Sequence, residues 1–320
     1  MDRLEAMAIL VATVESGSFS AASRRLSVPL PTVSRKLAAL EEHLGVRLLM
    51  RSSRSLTLTE AGMSYLQSCR QILEQVTEAE RSVAGEYSIP RGELVVSAPV
   101  VFGRLHLLPI INDFLASFPQ INTRLILTDK VMHLVDDHID VAVRVGQLQD
   151  SSMVATQVGT VCRVVCASPE YLASHGKPTH PCDLTEHSCV NFEGLPSGPL
   201  WSFSPAATPM DPLTVMVKPR LSVNTAEAAI DSAIANVGLT HVLSYQIASA
   251  VEQQKLRLVL REFEPTPLPV SLVHTGQSPL PVKTRSFFDF VAPRLRAALL
   301  GDKNRLRAGM STPVLEYPGV

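Results

Sequence analysis

The chain has 320 residues and a formal net charge of −1, with 46% hydrophobic and 18% charged residues. This length exceeds one ordinary hydrophobic core, and the apolar content excludes general disorder. The five cysteines are an odd number that does not suit a disulfide framework, and no apolar run approaches the roughly 20 residues that span a bilayer. We therefore expect a soluble, multidomain protein of the cytoplasm.

The charge is concentrated near the amino terminus. Between Ser18 and Leu58, seven basic residues stand against two acidic ones, a net charge of +5, so the rest of the chain carries about −6. A basic segment joined to an acidic body predicts a polyanionic partner for that segment alone.

The first helix is predicted from about Arg3 to Glu15. Its apolar residues recur at helical spacing, and acidic residues stand where an export signal would carry positive charge. The turn at Gly17 and Ser18 separates it from a second, short helix, for which Ser20 is the predicted N-cap.

The third helix is predicted to begin at Pro31, because the N–H that proline lacks is unpaired at the first helical position anyway, and to end at Gly45. One narrow apolar stripe should face inward; it comprises Val33, Leu37, Leu40 and Leu44. Rotation by 100 degrees per residue leaves a small, polar and basic face outside, made of Thr32, Ser34, Arg35, Lys36 and Ala39. Such a face suits a helix that enters the major groove of DNA.

A hairpin should follow, with strands at residues 46–51 and 56–59 and a basic turn between them. Arg51 and Arg54 would lie near phosphates or in a minor groove. An isolated Arg-Lys pair is more often a solvated surface, but here the short helix and the basic hairpin accompany it. The predicted DNA-binding residues are Ser20, Pro31, Thr32, Ser34, Arg35, Lys36, Arg51, Ser53 and Arg54.

A longer helix is predicted from Glu60 to about Tyr87, with Thr59 as its N-cap. Its narrow apolar stripe favours packing on a second copy of the chain, through the dimerisation residues Leu66, Leu73, Val76 and Val83. The alternative is that this stripe packs on its own domain. The predicted organisation is a DNA-binding domain at 1–59, a linker helix and hinge at 60–89, and a further domain at 90–300.

The pattern after residue 90 is typical of an α/β domain. Short apolar runs at 94–96, 125–127, 141–143 and 164–166 alternate with helical stretches, as strands of a largely parallel sheet do. Residues 301–320 show no convincing period, so a flexible tail is expected there.

The sequence contains little that predicts a metal-binding or catalytic site. Cys162, Cys166, Cys182 and Cys189 lie close in sequence but form no C-x-x-C pair, so buried or inert thiols are the default and no metal or cofactor is expected. Residues 136–140 favour an acidic surface loop, and no nucleotide-binding or hydrolase motif is present, so we do not expect an enzyme.

The chain resembles the LysR-type transcriptional regulators over nearly its whole length to about Leu300. The resemblance rests on residues 17–22 (GSFSAA), 33–35 (VSR), 40–41 (LE), 44–49 (LGVRLL), Arg51 and 58–62 (LTEAG). Residues 97–99 (SAP), 140–146 (DVAVRVG) and 167–172 (ASPEYL) are similar to the effector domain of that family. One departure concerns Pro29 and Leu30, which stand where many members carry a Ser-Gln pair, so base readout should shift toward Thr32, Ser34 and Arg35.

The resemblance implies an α/β fold class in three parts: a winged helix-turn-helix, a long linker helix and a periplasmic-binding-protein-like domain. Lobe I would comprise about 91–164 plus 267–300, and lobe II about 165–266. It implies homodimers or homotetramers on double-stranded DNA, a contact with RNA polymerase, and a small metabolite effector, with an anion favoured. The matching effector positions are Pro99, Val100, Phe102, Arg144, Gly146, Asn224, Thr225 and His241.

These observations predict a sequence-specific regulator of transcription that a ligand controls by shifting its conformational populations. The alternative from another class is a small-molecule receptor or transport-type binding protein without a DNA role. An enzyme is a third hypothesis, because fold alone does not fix function.

Overall fold

The computed structural model describes residues 2–51, 56–83, 89–148, 153–193, 198–204, 213–276 and 280–308. The chain forms two compact units, Met1–Gly92 and Glu93–Val320. The first is mostly helical and the second is α/β with two mixed sheets, which confirms the predicted fold class.

The first unit contains four helices and a hairpin in its described part: α1 (Arg3–Glu15), α2 (Phe19–Leu26), α3 (Leu30–Leu44), β1 (Leu49–Arg51), β2 (Leu56–Leu58) and α4 (Glu60–Val83). The prediction of Ser20 as the cap of α2 is wrong, because Ser18 is the extended residue before the helix and its Oγ accepts from the N–H of Ala21 at 3.2 Å. Helix α3 begins one residue earlier than predicted, at Leu30, which places Pro31 at its second position.

The core of the first unit joins all four helices and the hairpin. Its buried members are Ala6, Ile9, Leu10, Val33, Leu37, Leu40, Leu48, Leu49, Leu66 and Cys69. Leu44 was predicted to belong to the inward stripe of α3, but it is 36% exposed because the last helical turn passes beyond the core. Gly45 ends the helix as predicted, in the left-handed conformation with φ 68°.

Helix α4 starts as predicted, with the Thr59 hydroxyl accepting from the N–H of Gly62 at 2.9 Å. Its first apolar residues pack within this unit, since Leu66 and Cys69 belong to the core described above. The alternative reading, in which the stripe packs on its own domain, therefore holds for the start of the helix. Leu73 and Val76 are partly exposed farther along, and the side chain of Val83 lies outside the described residues.

The second unit contains two five-stranded sheets. The strands of the first are β3 (Gly92–Ala98), β4 (Ile121–Leu127), β5 (Val141–Val145), β6 (Met153–Val161) and β14 (Leu268–Thr275), in the order β4-β3-β5-β14-β6. The strands of the second are β7 (Arg163–Ala167), β8 (Cys189–Phe192), β11 (Pro219–Val223), β12 (Leu239–Leu243) and β13 (Arg257–Val259), in the order β11-β8-β12-β7-β13. A separate hairpin pairs β9 (Leu200–Phe203) with β10 (Leu213–Met216). We call the part built on the first sheet lobe I and the part built on the second lobe II.

The helices of the second unit pack on these sheets. They are α5 (Val100–Phe102), a π-helical turn (Gly103–Leu107), α6 (Leu108–Ser117), α7 (Pro169–His175), α8 (Ala226–Ile234), α9 (Ser244–Glu252) and α10 (Val282–Ala308), with 3-10 turns at Pro181–Glu186 and Arg261–Phe263. The four predicted apolar runs all lie in strands, namely β3, β4, β5 and β7.

Both sheets are mixed, so the expectation of a largely parallel sheet is wrong. Strand β3 is parallel to β5, and β8 is parallel to β11 and β12, but β14 is antiparallel to β5 and β6. In lobe II, β7 is antiparallel to β12 and β13. The pairs β6–β14 and β7–β13 are antiparallel because each joins a strand of the outward crossing between the lobes to a strand of the return crossing.

The first crossing takes place at Cys162, between β6 and β7. Two hydrogen bonds join it to lobe II: the N–H of Ser244 donates to the Cys162 carbonyl at 2.8 Å, and the Cys162 N–H donates to Ser244 Oγ at 3.1 Å. Arg163 and Val164 therefore belong to the sheet of lobe II, two residues before the predicted boundary.

One apolar helical stretch, Val100–Ser117, has the length and composition of a membrane span, with a mean hydropathy of 1.2 over 18 residues. A core helix of a globular protein has the same length and composition, and Phe102 and Phe114 in this stretch are fully buried.

The prediction of a flexible tail from residue 301 is wrong for its first part, because α10 continues to Ala308. Burial of Asp302 and Leu306 holds its last turns on the domain, whereas residues 309–320 lie outside the described residues.

Candidate DNA-contact surface and effector cleft

A tight corner joins α2 to α3. Ser27 ends α2 in the left-handed conformation with φ 54°, and the hydroxyl of Ser23 donates to the Val28 carbonyl at 2.6 Å. Pro29 then precedes α3 with extended backbone and without a side-chain cap. A short helix, a tight turn and a second helix form the helix-turn-helix arrangement that the sequence predicts.

The outer face of α3 carries the predicted small and basic residues. Pro31 and Arg35 are exposed, and Thr32 and Ser34 are partly exposed. Lys36 is engaged in the described structure, since its ammonium forms an ion pair with Glu5 of α1. Arg35 is thus the basic residue of α3 whose guanidinium is not held in an ion pair among the described residues.

Helix α2 contributes a basic residue that sequence reasoning left out of the site. Arg24 and Arg25 are both exposed, but Arg25 pairs with Glu15 at 2.8 Å. Arg24 forms no ion pair in the part of the chain that the structure describes. Its position in the last turn of α2, just before α3, could have been noted from the sequence; the pairing of its neighbour could not.

The base of the hairpin is held by side chains of the flanking helices. One carboxylate oxygen of Glu41 accepts from the N–H groups of Leu48 at 2.8 Å and Leu49 at 3.0 Å. The Thr59 hydroxyl donates to the Arg47 carbonyl at 2.8 Å. Ser53, Arg54 and the side chain of Arg51 lie outside the described residues, so the predicted role of the hairpin tip stays a prediction.

Five of the eight predicted effector residues directly follow the carboxyl ends of parallel strands. Pro99 and Val100 follow β3, Gly146 follows β5, and Asn224 and Thr225 follow β11. In open α/β sheets, ligands bind at this edge. Gly146 has φ 112° and its N–H donates to the Pro269 carbonyl at 2.9 Å, which fixes the chain at the end of β5.

Helix starts follow two of these strands. The Val100 N–H, at the start of the Val100–Ser117 helix, donates to the carboxylate of Asp129 at 3.1 Å, so a negative group of this chain already contacts that helix start. Thr225 caps α8, with its hydroxyl accepting from the Ala228 N–H at 3.3 Å. Asn224 and Thr225 are both exposed at this second helix start.

Arg144 is half-buried near the end of β5, where its guanidinium donates to the Met132 carbonyl. Burial lowers the pKa of this guanidinium, and the charge of Asp137 partly offsets the effect. The side chain therefore holds the loop after β4.

Phe102 and His241 are buried in the described structure. The ring of Phe102 contacts Tyr245 of α9 edge-to-face at 5.3 Å between centroids, which joins the two lobes. His241 lies 5.1 Å from the ring of Trp201 and 5.7 Å from Phe203. Burial lowers the pKa of His241 to about 3, with a contribution from Arg163, so its imidazole is neutral at physiological pH. Neither side chain is open to solvent as a ligand contact would be.

Three of the four cysteines of this unit have little thiolate character, whereas Cys182 is exposed. Burial raises the pKa of Cys166 and of Cys189 to about 12, and burial also raises the pKa of Cys162. Only thiolates are strong nucleophiles and metal ligands. Within the described ranges, no group of three His, Cys, Asp or Glu residues could hold a metal ion.

Two family models match the chain. One describes the LysR substrate binding domain and matches residues 88–296; the other describes the bacterial regulatory helix-turn-helix protein, lysR family, and matches residues 4–63. The chain belongs to the LysR family of transcriptional regulators. It is a DNA-binding regulator of LysR type with an effector-binding domain.

Relatives and solved structures agree with the membership in the LysR family. This regulator is 34% identical over 293 residues to an HTH-type transcriptional repressor of Pseudomonas aeruginosa, which covers 91% of this chain and 92% of the relative. It is 30% identical over 285 residues to the HTH-type transcriptional activator AaeR of Escherichia coli, with 89% and 91% covered. The full-length Vibrio cholerae virulence activator AphB matches with a TM-score of 0.58 and 28% identity, over 91% of this chain and 98% of that one. CrgA, a LysR-type regulator from Neisseria meningitidis, matches with a TM-score of 0.59, 29% identity and the same coverage.

Proposed function

We propose that this LysR-type regulator reads its operator with the outer face of α3. Arg35 would contact a base edge or phosphate, with Thr32 and Ser34 beside it and Arg24 on the adjacent phosphates. The observation that supports this is the unequal pairing of basic residues: Lys36 is held by Glu5, whereas Arg35 is exposed and unpaired among the described residues. A contact from Lys36 to a phosphate would first have to break its ion pair with Glu5.

The test compares single alanine variants on a duplex that the wild-type protein selects from a random pool. Removal of one specific arginine contact costs about 1–3 kcal/mol, so Arg35→Ala should weaken binding roughly 5- to 150-fold. Lys36→Ala should weaken it less, because Glu5 already partly neutralises the Lys36 ammonium, which must leave that ion pair before it can contact a phosphate. Arg285→Ala, which removes the same charge from an exposed position of the effector domain, is the matched control. Equal affinities of the Arg35 and Arg285 variants would contradict the proposal.

We propose that the effector is a small anionic metabolite that binds at the carboxyl ends of β3, β5 and β11. The exposed start of α8 at Asn224 and Thr225 would face its negative group, since the first N–H groups of a helix lack intrahelical partners. Pro99, Val100 and Gly146 would form the opposite wall, while the buried Phe102 and His241 and the half-buried Arg144 would support the site from behind.

Calorimetry with carboxylates and their neutral primary amides tests the charge of this effector. A carboxylate should bind, its amide should bind at least roughly tenfold more weakly, and Asn224→Ala should reduce the difference. An amide that binds as tightly as its carboxylate would contradict the anionic class.

We propose that the regulator acts as a homodimer or homotetramer in the cytoplasm, with contacts to RNA polymerase when bound to DNA. The partly exposed Leu73 and Val76 of α4, beside exposed Met63 and Ile72, support a partner surface on that helix, with Val83 as its predicted extension. Leu66 is left out of this surface because it is buried in its own unit. No enzymatic activity is included, since the relatives are transcriptional regulators. A monomer in light scattering at micromolar concentration would contradict the oligomer.

A further inference from the structure

A cavity of about 800 Å³ lies where helices of both lobes meet, and it is lined by residues of the Val100–Ser117 helix, α8, α9 and α10. None of the effector positions predicted from the sequence lines it. Its volume falls in the range of small-molecule sites. The cavity is therefore distinct from the cleft at the carboxyl ends of the strands.

Two buried side chains with ionisable groups, His106 and Asp302, line this cavity. His106 is 9% exposed and Asp302 is 6% exposed. His106 Nε2 lies 3.0 Å from Asp302 Oδ2, but neither atom makes an aligned hydrogen bond. The other carboxylate oxygen is 3.8 Å from the Arg305 guanidinium. A buried carboxylate oxygen without a hydrogen-bond donor is costly, and the adjoining space can admit a donor.

The remaining lining combines balanced charge with apolar surface. Besides Asp302 and Arg305, four charged residues line the cavity: Arg104, Lys255, Glu227 and Asp231. Arg104 and Glu227 form an ion pair with each other. Apolar side chains between them include Ile230, Ile234 and Ala297. Equal numbers of positive and negative groups around an aliphatic wall complement a ligand that carries both charges and a short hydrocarbon part.

We propose that this cavity is a second ligand site, which binds a small aliphatic zwitterion of the amino acid class. Its ammonium donates to the unpaired carboxylate oxygen of Asp302, its carboxylate contacts a basic residue of the lining, and its hydrocarbon part contacts Ile230 and Ile234. Because α8 and α9 belong to lobe II while α10 and the Val100–Ser117 helix pack on lobe I, the bound ligand stabilises one relative position of the lobes.

Calorimetry on the full-length chain tests the site with L-alanine, L-valine and L-leucine. Isobutylamine and isovalerate are the matched probes, because each keeps the hydrocarbon part of valine and only one of its two charges. At least one amino acid should bind saturably by millimolar concentration and at least roughly tenfold more tightly than either singly charged probe. Asp302→Asn should weaken that binding by a similar factor.

Ala297→Trp blocks the cavity without removing a polar group, and Ala297 is exposed on α10, so the variant should fold. It should abolish binding. Leu300→Trp is the control, since Leu300 is 60% exposed on the same helix and does not line the cavity; it should bind within about twofold of wild type. The proposal is overturned if no amino acid binds, if the singly charged probes bind equally well, or if Ala297→Trp retains binding, which would place the ligand elsewhere.

Discussion

Gly62 occupies a point at which α4 and the hairpin backbone meet, and we predict that Gly62→Ala unfolds the DNA-binding unit at lower temperature. An added Cβ would lie 2.0 Å from the carbonyl oxygen of Leu48 and 2.9 Å from its carbonyl carbon. Both are backbone atoms, which cannot rotate away as the end of a side chain can. The helix start and the hairpin must therefore separate by more than 1 Å to restore an ordinary contact of at least 3.4 Å.

The size of the effect follows from what that separation disrupts. Overpacking of a core costs about 1–3 kcal/mol. The Leu48 carbonyl also accepts from the Thr59 N–H at 3.0 Å, and the Thr59 hydroxyl caps the helix at Gly62, so loss of the cap adds about 1 kcal/mol. The higher helix propensity of alanine returns up to about 1 kcal/mol. The net loss is about 1–3 kcal/mol, or roughly 4–24 °C in the Tm of a unit of this size.

Two optical signals separate the units in a thermal scan of the full-length protein. Trp201 is the single tryptophan and belongs to the second unit, so its fluorescence follows that unit, whereas circular dichroism follows helices of both. Gly62→Ala should lower the first circular-dichroism transition and leave the fluorescence transition unchanged. Gly301→Ala is the matched control: its Cβ meets nothing within 4 Å inside α10, and it should be neutral or stabilising. A Gly62→Ala protein that melts within about 2 °C of wild type would refute the steric reasoning.

Two further predictions concern buried charge in the effector domain. The unfolded chain protonates His241 near its ordinary pKa of 6.5, while the folded chain does so only near pH 3, so this group lowers the free energy of unfolding by about 2 kcal/mol as the pH falls from 7 to 5. In urea titrations at pH 7 and pH 5, His241→Phe should remove this loss of about 2 kcal/mol in the free energy of unfolding. A variant that loses as much stability between the two pH values as the wild type would contradict the prediction. Lys283 is buried 3.6 Å from Asp140, whose pKa burial raises and Lys283 lowers, so Lys283→Met should cost about 3–5 kcal/mol. Adding Asp140→Asn should restore part of that loss in the same titration, and no restoration would count against a charge effect.

Local patterns in the sequence determined the helices, the strand positions and the chemical character of the DNA-binding unit. The bounds of α1, the end of α3 at Gly45 and the cap at Thr59 each depend on residues within one helical turn. The stripe of Val33, Leu37 and Leu40 likewise predicts an inward face, and all three are buried. Capping is also local, but Ser18 and Ser20 both suit the role, and only the backbone conformation at Ser18 selects between them.

The tertiary structure decided which residues cover the apolar face of a helix. It also decided which charged side chains pair with each other. The periodicity of α4 shows an apolar side but does not show that Leu66 packs in its own unit while Leu73 is partly exposed. The pairing of Lys36 with Glu5 joins two helices, so no local pattern distinguishes Lys36 from Arg35. The last turns of α10 looked like a tail because their buried residues, Asp302 among them, are mostly separated by polar ones. A sequence states which residues can be buried; only the packing of distant segments decides which of them are, because burial free energy depends on the partner surface.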